Sequence, residues 1–123
     1  MAEKINWNFV VQALSGPSLL GQGKLEVDAY DKIGVTISAG ATQQVNMVPS
    51  GTVSLIVINP AVPDAKLSYE VSGKAVVLDA PHVLIGTGAV SLLGVGGAAN
   101  LSFKNDTSSD ATIEILIGRD ATP

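Results

Sequence analysis

The chain of 123 residues contains no cysteine, which excludes a disulfide framework and any thiolate metal site. Charge is also scarce. Asp, Glu, Lys and Arg make up 15% of the residues, against roughly 25% in an average globular domain. The apolar share of 46% is ordinary, so glycine, serine, threonine and asparagine have taken the place of charge. A small monomer keeps itself in solution with interspersed charges of both signs. A chain this neutral is expected to hide part of its surface against copies of itself or a partner; the plainer alternative is a free but uncharged β surface. The net charge is −4, and the basic residues Lys4, Lys24, Lys32, Lys66, Lys74, Lys104 and Arg119 stand singly. Nucleic-acid binding takes a clustered positive face that releases counterions. Trp7, Phe9, Tyr30, Tyr69 and Phe103 are the aromatic residues, and they supply no base-stacking platform. Nucleic acid is therefore not an expected partner.

What is present is strand pattern. Residues 52–59, Thr-Val-Ser-Leu-Ile-Val-Ile-Asn, place Val53, Leu55 and Val57 on one side of an extended chain and Ile56 and Ile58 on the other. Both faces are apolar, so this strand is expected inside the protein, and its β-branched residues favour the extended state. Before it, Ile5, Trp7, Phe9 and Val11 alternate with Asn6, Asn8 and Gln12, and Ser15-Gly16-Pro17 ends the strand. Leu19-Leu20 before Gly21-Gln22-Gly23 is either a short apolar plug or part of a contact surface. Leu25, Val27 and Ala29 form a further alternation, Asp31-Lys32 a turn, and Ile33, Val35 and Ile37 the next strand. The polar segment 42–48 reads as an edge strand. After the Pro60 to Asp64 loop come a strand at 67–71, a short buried return at 75–78, two apolar strands around Gly86-Thr87-Gly88, a glycine-rich loop at 94–99, and the strands of Leu101 and Phe103 and of Ile113, Ile115 and Ile117. No helical period competes. The expected fold is all-β, an antiparallel β-sandwich or jelly roll of about nine or ten short strands, and residues 1–123 form one domain.

Each candidate site in the chain has a plainer explanation beside it. Residues 80–103 carry no charge, which raises a membrane span. Five glycines and Pro81 argue against a spanning helix, because glycine costs about 1 kcal/mol relative to alanine in a helix interior. A contact surface of packed small residues is the preferred reading, with plain core behind it. Gly86-Thr87-Gly88 and Gly94-Val95-Gly96-Gly97 match no phosphate-binding pattern, and Ser18 to Leu25 departs from a P-loop at both ends. His82, the lone histidine, has Asp79 three residues away, as a general base with an orienting carboxylate would; no nucleophile is placed beside it. Asn105, Asp106, Thr107 and Asp110 crowd oxygen atoms into one loop that would suit a hard cation, yet the same residues are what an exposed hairpin uses for local bonds. No catalytic residue, cofactor or metal ligand is assigned, and no enzymatic activity is expected. Asn100-Leu-Ser and Asn105-Asp-Thr are formal glycosylation sequons. The first residues lack the apolar stretch of a secretory signal.

The strands rich in Ser, Thr and Gly, and the closing pair Leu101-Ser-Phe-Lys-Asn105 and Ala111-Thr-Ile-Glu-Ile-Leu-Ile-Gly-Arg119-Asp, resemble in texture the small structural proteins of tailed bacteriophages. That resemblance implies a homo-oligomer, a trimer or larger ring, with other structural proteins as further partners and a place in the virion or the cytoplasm. It implies a role carried by surfaces. The expected contact residues are Leu19, Leu20, Val90, Leu92, Leu93 and Val95. The alternative is a glycan-binding sandwich, in which Tyr30 is the one plausible exposed stacking residue and Trp7, sharing a face with Ile5 and Phe9, is expected in the core.

Overall fold

A computed structural model describes residues 3–46, 52–71, 73–93 and 100–120. Ten strands run in chain order: β1 (Glu3–Gln12), β2 (Ser18–Val27), β3 (Ala29–Ile37), β4 (Thr42–Asn46), β5 (Thr52–Pro60), β6 (Leu67–Val71), β7 (Lys74–Val77), β8 (His82–Ile85), β9 (Asn100–Asn105) and β10 (Ala111–Asp120). One helical turn, α1 (Thr87–Val90), and a 3-10 turn at Ser91–Leu93 follow β8.

Eight strands build two antiparallel four-stranded sheets, ordered β3-β10-β5-β8 and β4-β9-β6-β7, while β1 and β2 pair only with each other. The pairs β3·β10, β4·β9, β5·β8 and β6·β7 are nested one inside the next. Residues 29–120 are thus one long hairpin rolled over into two sheets, the jelly-roll arrangement. Inward-facing Ile56, Ile58, Ile113, Ile115 and Ile117 of the first sheet meet Leu67, Tyr69, Val71, Leu101 and Phe103 of the second in one buried cluster, as face-to-face sheets with period-two side chains require.

The strand at 52–59 is internal, between β10 and β8, and apolar on both faces as its sequence demands. Its faces differ from strict alternation at one point. The register with β10 shifts between Gly118 and Arg119, so Ser54 is the extra residue of a β-bulge. Val53 consequently joins Ile56 and Ile58 in the core, and Leu55 and Val57 turn to the outer face of the sheet.

Gly21-Gln22-Gly23 lies in the middle of β2. Three other expectations are overturned. Asp31 and Lys32 do not turn the chain; they lie within β3, and the break falls at Asp28, whose N–H donates to Arg119 O at 2.9 Å. Residues 75–77 form an exposed edge strand rather than a buried return, with Leu78 buried after it. Residues 89–93, expected as strand, lie in two helical turns that together span 87–93. Gly86 takes φ 94°, open to glycine without strain, and lets the chain turn into α1.

The uncharged stretch 80–103 is distributed over β8, α1, the 3-10 turn and β9, with residues 94–99 outside the described part. Among the described residues no helix is long and apolar enough to cross a membrane.

Candidate functional site

The hairpin of β1 and β2 stands apart from both sheets. Its pairing is unbroken from Glu3↔Val27 to Gln12↔Ser18, and a turn closed by Ala13 N–H to Pro17 O at 3.1 Å joins the strands. The root is fixed to the jelly roll at Gly118 of β10. A Cβ there would come within 3.2 Å of Val27 Cγ1 and 3.4 Å of Ile5 Cδ1, so a larger residue would press the root of the arm outward by a few tenths of an ångström. Along the same face of the arm, Trp7 lies opposite Gly23 and Phe9 opposite Gly21. A side chain at either glycine would strike the ring: a Cβ on Gly23 would stand 2.5 Å from Trp7 Cζ2. The two rings lie nearly parallel, 6° apart with centroids at 6.2 Å. Large rings laid over cross-strand glycines replace the packing those glycines lack. That is why Gly21 and Gly23 occupy a strand interior.

This aromatic face looks across at the outer face of the first sheet. Between them lies a slot of about 640 Å³ lined by twelve residues, none of them charged. One wall carries Ile5, Trp7, Phe9 and Val11; the other carries Leu55, Val57, Val83, Ile85 and Leu116. Asn6 and Asn8 are its polar residues. Beyond the slot the arm ends in exposed hydrophobics. Val10 and Val11 on β1, Leu19 at 66% and Leu20 at 68% on β2, and Leu14 at 106% in the turn are all open to water. No Asp, Glu, Lys or Arg occurs from residue 5 to residue 23.

The expected contact residues therefore divide. Leu19 and Leu20 lie on the arm tip. Leu92 is exposed in the 3-10 turn that follows α1. Val90 is buried at 2% within the core cluster and offers nothing to a partner. The reason is local geometry: in a strand Val90 and Leu92 would share a face, whereas 3.6 residues per turn separates them, one inward and one outward. Leu93 closes the 3-10 turn, and Val95 lies outside the described residues. Trp7, expected in the core, instead lines the slot. The glycines across from it were the available signal, legible only once the register of the hairpin is known.

The other candidates have structural partners. Tyr69 OH and His82 Nδ1 are 2.8 Å apart, and Tyr69 packs edge-on to His82 and against Phe103. Burial pushes the Tyr69 phenol up to about 12. In the 105–110 loop, buried Asn105 donates from Nδ2 to Ile37 O at 2.9 Å and Ser109 O at 2.8 Å, while its Oδ1 accepts from Thr107 N–H at 2.9 Å. Asp110 Oδ1 accepts from Ala39 N–H, and Asp106 lies 3.7 Å from Lys104 Nζ. These oxygens bind their own chain, and among the described residues no three His, Asp or Glu side chains gather around a point that would hold a metal ion. Tyr30 is exposed on β3, beside Gly118 on the outer face. Comparison of the chain with protein-family models, with curated proteins and with solved structures gave no match.

Proposed function

We propose that this protein is a non-enzymatic structural component that works by self-association, of the kind found as virion accessory or decoration proteins. The observation that carries the reading is the arm. Phe9, Val10, Val11, Leu14, Leu19 and Leu20 together leave the equivalent of about four whole apolar side chains in water. At about 1.5–3 kcal/mol for each large side chain, covering them is worth roughly 6–12 kcal/mol. Domain stabilities are themselves only about 5–15 kcal/mol, so an arm of this composition on a free monomer would be a standing aggregation hazard. The exposed surface is 7388 Å², against roughly 6,000 Å² for a compact monomer of this mass, a surplus that a projecting hairpin produces. The jelly roll is shared by capsid proteins, lectins and cupins. It supports the virion reading by analogy of fold alone.

A second reading, a sugar-binding module, draws on the parallel rings of Trp7 and Phe9. Stacked sugars also require hydrogen-bonding groups for their hydroxyls, and the slot offers Asn6 and Asn8 against otherwise apolar walls. An apolar protein surface fits it better. The test is the absolute mass in solution by light scattering over a wide range of concentrations. A stable oligomer is expected, and a monomer at every concentration removes the proposal.

A further inference from the structure

Building on the self-association reading, we propose that the slot between arm and sheet is the seat for the arm tip of a second copy of this chain. The two halves of the contact lie on the same chain and match in shape and in chemistry. The tip is apolar on both faces: Val11 and Leu19 form a cross-strand pair on the slot side, Val10 and Leu20 a pair on the opposite side, and Leu14 caps the turn. A tip with two apolar faces requires a site with two apolar walls. The slot has them, with the rings of Trp7 and Phe9 on one side and Leu55, Val57 and Val83 on the other. An element apolar on one face only, such as an amphipathic helix, would leave one of these walls wet. Neither half carries a charge that would have to be desolvated on contact.

The arm cannot fill its own slot. Its continuous pairing from root to turn keeps the strands extended, and at about 3.3 Å per residue the turn stands on the order of 30 Å from Ile5. The size of the contact also agrees. Eleven residues of the tip, 10–20, and twelve of the slot, with Val11 in both, bring each copy into the range of roughly 20–30 residues a side found in stable interfaces. That holds whether two copies exchange arms about a two-fold axis or each arm reaches the next copy around a ring.

The experiment compares light-scattering masses of the native chain, Leu14→Asp and Val83→Asp. Leu14 is fully exposed and Val83 half-exposed at 54% on the outer face of β8, so both variants should retain native circular dichroism. The native chain is expected to be oligomeric, and its single tryptophan, Trp7, should shift its emission to shorter wavelength on association as the slot is filled. Each variant alone should fall to the mass of a monomer. An equimolar mixture should regain a dimer, because the intact tip of one variant meets the intact slot of the other. A second measurement covers poor folding of Val83→Asp. Leu14→Cys and Val83→Cys chains, each with one thiol in an otherwise cysteine-free sequence, should form a mixed disulfide on mild oxidation.

An oligomer disrupted by Leu14→Asp but not by a folded Val83→Asp, or mixed chains that fail to cross-link, overturns the slot as the seat. An oligomer that neither substitution disturbs overturns the contact while self-association stands. A native chain that is monomeric throughout removes both.

Discussion

Replacing Asn105 by aspartate changes one NH2 group to oxygen and almost nothing in volume, yet it should be among the most damaging substitutions in the chain. Asn105 is fully buried. Its Nδ2 donates to Ile37 O and Ser109 O at 2.9 and 2.8 Å, tying β9 to the end of β3 and closing the 105–110 loop. An aspartate oxygen in that place would face two carbonyl oxygens with no proton to offer. Each buried acceptor left unsatisfied costs about 1–3 kcal/mol, and the carboxylate adds the cost of an unpaired buried charge. The expected loss at pH 7 is roughly 3–5 kcal/mol, or on the order of 15 °C in Tm for a domain of this size. The loss should also depend on pH. Burial among carbonyls raises the carboxyl above its unfolded value of about 3.9. The neutral form, which can donate one of the two bonds, is therefore favoured by the fold. Its contribution is complete below pH 3.9 and disappears as the pH rises through the higher folded value. Asn105→Ala should be destabilised as well, but without that dependence. Urea unfolding of the three proteins at fixed protomer concentration, at pH 4 and pH 7, measures both effects. Asn105→Asp within about 0.5 kcal/mol of the native chain at pH 7, inside the usual range for surface substitutions, would refute the reasoning.

Tyr69 supplies a test at the other end of the pH scale. Its phenol is held neutral up to about pH 12 in the fold and ionises near 10 when unfolded, so the stability it contributes is complete below pH 10 and is lost as the pH rises through 12. Tyr69→Phe should be about 1 kcal/mol less stable at pH 8, having lost the bond to His82, and should decline less steeply between pH 10 and 12; parallel urea-unfolding profiles would count against it. Gly23→Val should drive the Trp7 ring off β2, since even a Cβ would sit 2.5 Å from Cζ2, and Trp7 emission should move to longer wavelength. An unchanged spectrum would mean that the ring does not rest on the glycine.

The strands of the sandwich were legible because each is a local pattern. Period-two alternation marks β1, β3, β6 and β10, and the doubly apolar run at 52–59 announces an internal strand without reference to any other residue. Leu19 and Leu20 stay open in the sequence between a buried plug and a contact surface, and the structure exposes both. Three features depend on partners that the local pattern does not name. Gly21 and Gly23 have no visible role until the hairpin register sets them opposite Phe9 and Trp7. Val90 and Leu92 look like one strand face until Gly86 turns the chain into a helical turn. The oxygen-rich loop at 105–110 reads as a hairpin of local bonds, and its bond from Asn105 to Ile37, 68 residues away in sequence, shows only in the fold.

Composition and alternation by themselves determined that the chain is all-β and that charge is scarce, absent altogether from residue 5 to residue 23. These properties are local and need no partner. Tertiary structure alone decided that the apolar surface is divided between a projecting tip and a two-walled slot. That division depends on which strands pair, on where the bulge at Ser54 turns Leu55 and Val57 outward, and on the close approach that Gly118 permits at the root of the arm. Each is a contact between residues far apart in sequence, set when the rolled hairpin closes.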